Sequence, residues 1–308
     1  MFERPDKMAL HRLIVTCECR FVTTRVTVTG TGTPYLSATN AGPGVLVSYE
    51  NSGDVVHLQF DAGRATLMRL TALGVAPHDL SAMFLTHYHN DHLVGLADIV
   101  LSHWVMDRDD DFAPIEVVAP TGSTTRFVDR MLGIWDDDLA VRAHHNGRAP
   151  EPKMRLLGFD VPDEPTEVWS NTSVRVLAGQ VRHEPVIGAV GYRVETPDGV
   201  IAISGDTTVC EEMAELSRGA DVVVHEAMRM NHIMDRPRGQ RYIAEYHADC
   251  IAIGQQMAAL DTPTLMLTHL IPPPIAEEDF VEFEDQVREG GFTGELMVCR
   301  DLDHVELA

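Results

Sequence analysis

The sequence predicts an α/β fold in which sheets pack on one another and helices lie outside. Three observations carry this expectation. Short β-branched runs alternate with helical patterns along the 308 residues. The early strands mostly run on without helices, whereas the later ones are interleaved with them. The chain is also long enough to bury a large core, and it shows no internal repeat or low-complexity linker. In order, strands are expected at Arg25–Thr29, Gly44–Ser48 and Val55–Phe60, each a β-branched run bounded by turn-forming residues. A helix at Ala65–Leu73 follows, and Gly74 directly after it suits the position that ends a helix. Ala82–Thr86 is the next strand, ahead of a helical pattern at His92–Met106. A strand at Ile115–Ala119 and a helix at Thr124–Gly133 come next. The last strands are Val174–Ala178, Val190–Glu195, Val200–Ser204, Val222–His225, Thr264–Thr268 and Leu296–Cys299. Helices at Cys210–Ser217, Ala248–Leu260 and Glu277–Gly290 are set among them. The stretch 107–170 is rich in Asp, Pro and Gly (DRDDDF, IWDDD, RAPEPK, VPDEPTE) and reads as a surface insertion on one domain spanning 1–308.

The charge balance narrows the partners. Lys plus Arg number 24 against 47 Asp plus Glu, a net charge of −23, and Lys7 and Lys153 are the only lysines. Proteins that grip nucleic acid neutralise phosphates with basic side chains, so this balance argues against tRNA or DNA as a partner. Solubility alone is an equally good account of the charge. The five cysteines (Cys17, Cys19, Cys210, Cys250, Cys299) are too sparse for a disulfide framework. Cys17-Glu18-Cys19 lacks a nearby second pair, and scattered thiols in a reducing compartment fit better than a soft-metal fragment. No apolar run reaches the ~18–20 residues that span a bilayer. The only apolar core near the N-terminus, Leu13-Ile14-Val15, is too short for a signal peptide. The expectation is a cytoplasmic protein with no membrane contact.

The chemistry concentrates in LTHYHNDH, Leu85 to His92. This segment sits between a buried strand and a helix, where backbone geometry can aim several side chains at one point. In an extended segment His87 and His89 project to the same side. Asp91 and His92 then open the helix, Asp91 placed to favour its positive end. Imidazole and carboxylate are the donors Zn²⁺ takes, and Mn²⁺ or Fe²⁺ also suits a set with carboxylates. A polar surface turn is the alternative. Further donors stand in VRHEP (His183), ISGDTT (Asp206, with Gly205 giving room to turn) and LMLTHL (His269). Each alone reads as an ordinary turn, surface or core residue. What joins them is one placement, at or just beyond the end of an apolar strand. The glycine-rich TGTGTP (Thr29–Pro34) lacks the spacing of a dinucleotide loop and the lysine of a P-loop, so it reads as a strand-end turn.

Taken as a set, HYHNDH, a lone histidine, SGDT and a late THL resemble the metallo-β-lactamase superfamily. TGTGTP, HEA and the histidine of EYHADC narrow this to its ribonuclease Z and arylsulfatase-like branch. The resemblance runs from residue 29 to 269 and implies a four-layer αββα sandwich. It implies two divalent metal ions, zinc foremost, sharing a water or hydroxide that attacks the substrate. His87, His89 and His183 would hold one ion, Asp91, His92 and His269 the other, and Asp206 would bridge them. Asp91 is also placed to accept a proton from that water. Asp61, in FDAG, would support the ligand loop rather than bind metal; on its own it reads as an ordinary helix cap. Glu226 and His247 would form a dyad in which His247 protonates the leaving oxygen. Branch members are often homodimers.

Ribonuclease Z proper carries a long tRNA-gripping arm in the interval that runs here from His183 to Asp206. That interval reads as two strands joined by a turn at Pro197-Asp198-Gly199, with no arm. With the acidic charge, this favours a small ester, either a phosphodiester or a sulfate ester. The alternatives are a lactonase, carboxyl-ester or amide hydrolase on the same metals, and a tRNA 3′-processing endonuclease. A non-catalytic sensor is a further class. Met228, Met230 and Met234 beyond HEA are expected to line an adaptable apolar pocket, with Arg229 receiving an anionic group. Trp104 is expected in the core.

Overall fold

The computed structural model describes residues 23–51 and 53–307, so Lys7 and the Cys17-Glu18-Cys19 fragment lie outside the described residues. Two seven-stranded sheets form the centre. The first contains β1 (Thr23–Gly30), β2 (Gly44–Asn51), β3 (Asp54–Phe60), β4 (Leu80–Phe84), β5 (Ile115–Pro120), β6 (Met154–Phe159) and β14 (His304–Leu307). Its spatial order is β14-β1-β2-β3-β4-β5-β6. The second contains β7 (Thr166–Ser170), β8 (Arg175–Gln180), β9 (Val190–Thr196), β10 (Gly199–Ile203), β11 (Val222–Met228), β12 (Thr264–Ile271) and β13 (Glu295–Val298). Its order is β13-β12-β11-β10-β9-β8-β7.

Each sheet is half antiparallel and half parallel. Strands β1, β2 and β3 form an antiparallel meander, and β3 through β6 continue in parallel. Likewise β7 to β10 are antiparallel, and β10 to β13 are parallel. Parallel neighbours need crossover connections, and these are the helices. Helices α1 (Thr66–Ala72), α2 (Asn90–Leu93), α3 (Leu96–Met106), α4 (Ser123–Arg130) and α5 (Asp136–Asn146) cross over between strands of the first sheet. Helices α6 (Glu211–Ser217), α7 (Met230–Met234), α8 (Cys250–Ala259) and α9 (Glu277–Glu289) do so for the second.

Side-chain alternation then assigns the layers. On β9, Val190, Tyr192 and Val194 point toward the first sheet, where Val26, Val47, Leu58, Phe60 and Phe84 meet them in one buried cluster. The opposite face of the second sheet (Ala202, Val223, Leu265) packs against Met213, Ile253, Met257 and Phe283 of its helices. The outer face of the first sheet packs in the same way against Leu70, Leu96, Ile99 and Val128. The result is helix, sheet, sheet, helix: the four-layer αββα sandwich. Each fully buried side chain of this kind contributes about 1.5–3 kcal/mol.

Three expectations need correction. The stretch 107–170 is not a surface insertion: β5 and β6 extend the first sheet and β7 extends the second. It also supplies α5, whose Leu139 and Ala143 bury Trp104, so Trp104 does lie in a core cluster. The helical pattern His92–Met106 is two helices. The Gly95 N–H bonds to Ala62 O rather than continuing the helical ladder, and a Cβ at Gly95 would lie 2.2 Å from Gly63 O. Finally, β6, β7 and β14 were not anticipated; all three run along sheet edges, where only part of each strand is covered. Among the described residues no helix is long and apolar enough to cross a membrane.

A fully buried polar contact joins the two sheets. The buried Tyr192 hydroxyl on β9 donates to Leu85 O, 2.6 Å away, one residue beyond β4 in the other sheet. The Tyr192→Phe variant is expected to lose about 1–2 kcal/mol of stability, because Leu85 O loses its donor in a dry interior. Urea denaturation checks this, with a lower midpoint and an unchanged slope expected.

Candidate metal centre

The expected donor residues gather at the ends of strands that face one another. The segment His87–His92 follows β4, His183 follows β8 and Asp206 follows β10. His269 lies within β12, at a bulge: Glu226 pairs with Thr268 and Ala227 with Leu270, leaving His269 as the extra residue with φ of +44°. A bulge bends a strand and re-aims one side chain, and here it aims His269 at Asp91 and Asp206. A left-handed φ is strained for histidine, so the surrounding pairing holds it there. Gly205, φ +60°, turns the chain after β10 against Thr86, where a Cβ would come within 2.9 Å. Gly63 does the same for the ligand loop, since a Cβ there would lie 2.6 Å from Asp91 O.

The donor atoms form two groups around one carboxylate. His87, His89, His183 and Asp206 each offer an atom within 4.8 Å of the others, as do Asp91, His92 and His269. Asp206 Oδ2 lies 3.8 Å from His87 Nε2 and 3.9 Å from His183 Nε2. The same oxygen is 3.2 Å from His92 Nε2 and 3.4 Å from His269 Nε2, so it belongs to both groups. Asp91 Oδ2 is 3.5 Å from His269 Nε2 and 3.7 Å from His92 Nε2. A third grouping, Asp206, His247 and His269, places His247 at the same centre.

Hydrogen bonds fix which nitrogen faces inward for three of the rings, those of His183, His92 and His87. His183 Nδ1 lies 2.9 Å from Tyr246 O, which can only accept, so Nδ1 donates and Nε2 keeps its lone pair. The Asp61 carboxylate accepts from His92 Nδ1 at 2.7 Å, from Thr86 N at 2.8 Å and from Thr86 Oγ1 at 2.8 Å. Because Thr86 spends its hydroxyl proton on Asp61, its oxygen must accept from His87 Nδ1, 2.9 Å away. Asp61 thus sets the tautomers of two imidazoles, one directly and one through Thr86. It caps no helix: Ala65 holds that position for α1. Donation from the outer ring nitrogen is the usual arrangement for a metal-ligating histidine.

The electrostatics favour a cation. Burial pushes His87 well below its ordinary pKa, and burial also lowers His89 and His183, which favours the neutral form of all three rings. Burial works against the Asp206 carboxylate, but the His269 and His92 rings outweigh it and hold Asp206 well below the carboxylate range. His87 Nε2, Asp91 Oδ2, Asp206 Oδ1 and His269 Nε2 are buried without hydrogen-bond partners. Leaving such groups unpaired costs about 1–3 kcal/mol each. A set of imidazole and carboxylate donors converging in this way fits divalent metal.

Beside this centre, His247 Nδ1 lies 2.8 Å from Glu226 Oε1, which also accepts from Thr207 N at 2.8 Å. The pair meets because residues 247–249 run alongside the end of β11, with Met228 N bonded to Ala248 O and Asp249 bridged to Met228. Burial, reinforced by the nearby Asp206 charge, pushes Glu226 well up, and burial lowers His247.

The expected substrate pocket is not formed as anticipated. Met228 is buried in a small cluster with Ile233 and Ile271. Arg229 is 2 % exposed and bonded to Asp279 at 3.0 Å and Glu282 at 2.7 Å, with its guanidinium over the Phe283 ring. These partners, all on α9, commit it to holding the end of β11, so it offers nothing to a substrate. Met230 packs on the same cluster and Met234 is half-exposed. Thr86 and Tyr246, by contrast, were not anticipated. Thr86 had a signal, a hydroxyl directly before the histidine run; Tyr246 acts through its main-chain carbonyl, which side-chain chemistry does not reveal. TGTGTP is held beside the centre, Thr31 donating to Asp301 and its carbonyl accepting from Leu270 N. In the Asp61→Asn variant, metal affinity is expected to fall about 10–100-fold, as for other groups that orient a ligand. Competition with a chromophoric chelator measures this, and an unchanged affinity would show that Asp61 does not orient the ligand loop.

Comparison with known proteins agrees with this geometry. A family model described as anti-Pycsar protein Apyc1 matches residues 24–234. Ribonuclease Z of Mycobacterium marinum (strain ATCC BAA-535 / M) is 34% identical over 287 residues, covering 92% of this chain and 98% of the relative. Among solved structures, the metallo-beta-lactamase fold protein YhfI from Bacillus subtilis superposes with a TM-score of 0.70 at 18% identity, covering 92% of this chain and 99% of that one. The short form of human tRNase Z gives 0.64 at 18% identity, with the same coverages. These relatives bear on the expectation against nucleic acid, since one class of them is named for RNA cleavage. The chain belongs to the family described as anti-Pycsar protein Apyc1, within the ribonuclease Z-like branch of the metallo-β-lactamase superfamily, and is a metal-dependent hydrolase acting on ester bonds.

Proposed function

We propose that the protein is a phosphodiesterase acting on a small phosphodiester with two divalent ions, zinc foremost and Mn²⁺ or Fe²⁺ also suited to the donors. The observation that carries this reading is Asp206, whose Oδ2 lies within 4 Å of inner nitrogens from both donor groups. His87, His89 and His183 would hold one ion, Asp91, His92 and His269 the other, with Asp206 between them. Bound there, the ions would polarise a phosphoryl oxygen and bring the pKa of water down to about 7.

The chain's own residues account for the proton movements. The water oxygen forms the new bond to phosphorus and its proton passes to Asp91. The ester P–O bond breaks, and the departing oxygen takes a proton from His247. Glu226 holds the opposite ring nitrogen of His247 and so keeps the imidazole oriented. Both members of this buried pair are drawn toward their neutral forms, and the negative charge of an incoming phosphodiester favours the imidazolium that must donate.

Two features support a small substrate. Strands β9 and β10 are joined at Pro197-Asp198-Gly199 with no longer excursion between them. The mouth of the centre carries Glu184 and Glu245, which oppose a polyanion. The second reading, tRNA 3′ processing, draws on the similarity to Ribonuclease Z over 92% of this chain. Steady-state assays separate them. The metal-loaded protein is expected to cleave bis-p-nitrophenyl phosphate and an alkyl phosphodiester, and to leave a precursor tRNA with a 3′ trailer uncut. His247→Ala is expected to lower kcat about 10²–10⁴-fold on the alkyl diester. The loss should be smaller on the p-nitrophenyl ester, whose leaving group needs little protonation. Equal losses on both would remove the acid role from His247, and trailer cleavage would decide for the second reading.

A further inference from the structure

We propose that Asp301 is a positioning residue for the donor group Asp91, His92 and His269, acting on it through the two legs of the glycine-rich loop 31–42; this rests on the two-ion reading above. Asp301 is not among the converging donors. It lies between β13 and β14, with a side chain only 8 % exposed. One carboxylate oxygen accepts from Thr31 N at 2.9 Å and Thr31 Oγ1 at 2.8 Å, on the outgoing leg. The other accepts from Ala41 N at 2.6 Å, on the returning leg, and from Arg69 Nε at 2.9 Å. Arg69, on α1, also donates to Thr39 O, so guanidinium and carboxylate close the loop between them. Gly32 N bonds across the legs to Ala41 O at 2.8 Å. The turn that carries Asp301 is itself fixed, Leu302 N donating to Val28 O at 2.7 Å and Cys299 N to Leu267 O at 3.0 Å.

Each leg bears on one donor. On the outgoing leg, Gly30 O accepts from Thr268 Oγ1 and Thr31 O accepts from Leu270 N, each at 3.3 Å. These bonds grip β12 on both sides of the bulge that aims His269. A left-handed φ on a residue other than glycine persists only where its surroundings over-determine it, and this grip supplies part of that constraint. On the returning leg, Gly42 N donates to Arg64 O at 2.9 Å, and a Cβ at Gly42 would lie 2.9 Å from Asp91 O. Asp301 therefore staples together the supports of Asp91 and His269, whose Oδ2 and Nε2 atoms lie 3.5 Å apart. His87 and His183, in the other group, are held instead by Thr86 and Tyr246. The Asp301→Asn variant keeps one oxygen and turns an NH₂ toward donors on the other side, so one leg is released whichever way the amide faces.

The test is zinc affinity by chelator competition in two backgrounds: His89→Ala, which keeps the group of Asp91, His92 and His269 whole, and His269→Ala, which keeps the other. Asp301→Asn is expected to weaken binding about 10–100-fold in the His89→Ala background and to leave it unchanged in the His269→Ala background. Arg69→Met leaves the carboxylate in place and is expected to show the same selectivity with a smaller loss. It carries the test if Asp301→Asn folds poorly. Equal weakening in both backgrounds would reduce Asp301 to a residue of general stability, and no weakening in either would overturn the staple; both results leave the two-ion reading intact. A single zinc equivalent in the wild-type protein would overturn that reading and the proposal with it.

Discussion

The Asp61 carboxylate is the constraint on which the centre depends. It stands just beyond β3 with a left-handed backbone, φ +54°, buried between the first sheet and the ligand loop. Its oxygens take the Thr86 amide, the Thr86 hydroxyl and His92 Nδ1. Through these three bonds one side chain fixes the direction of the loop after β4, the ring of His92 and, by way of Thr86, the ring of His87. A neutral imidazole has one donor and one acceptor nitrogen, so fixing the outer nitrogen as donor leaves the inner one as the position from which the ring can bind a metal.

The sheets bring the remaining donors to that point. Parallel halves of both sheets end at the same rim, and each crossover helix begins near it, so loops carrying polar residues converge there. Three local devices refine the positions. The bulge in β12 turns His269 inward, Gly205 lets the chain after β10 press against Thr86, and Gly63 admits the backbone of Asp91. Away from the centre, Arg229 clamps the end of β11 to α9 through Asp279 and Glu282. Asp279 also accepts from Ile275 N and Ala276 N, and those bonds, with Arg229, hold its carboxyl down at about 2. The end of the strand carrying Glu226 is therefore held against α9 by charge and packing together.

Legibility in the sequence followed burial. Interior strands β10 and β11 carry runs of Val and Ile, and β9 alternates buried Val190, Tyr192 and Val194 with other residues, so their positions were readable within a few residues. The edge strands β6, β7 and β14 bury only some of their side chains, so their pattern is weak. Helix α5 was hidden for a related reason, since only Leu139 and Ala143 of DDDLAVRAHHN are buried. The donors of the centre were readable because each is a polar residue at or near the end of an apolar run, and the structure brings them together. Arg229 misled because an arginine beyond a strand end looks available, while the carboxylates that neutralise it lie 50 and 53 residues further along the chain. The importance of Tyr246 was invisible for a different reason: a main-chain carbonyl carries no signature of its residue.

Acidic overall charge is compatible with the proposed metal-dependent cleavage of an anionic ester because the two act at different range. Surface carboxylates are screened within about 8–10 Å at ordinary ionic strength, whereas the donors at Asp206 act at contact distance in a dry site. The central claim is that Asp206 serves both donor groups. It is tested by the metal content per chain of protein reconstituted with zinc and freed of excess ion, for the wild type and Asp206→Asn. Two equivalents in the wild type and no more than one in the variant are predicted. A single equivalent in the wild type, or two tightly held ions in the variant, would contradict the account.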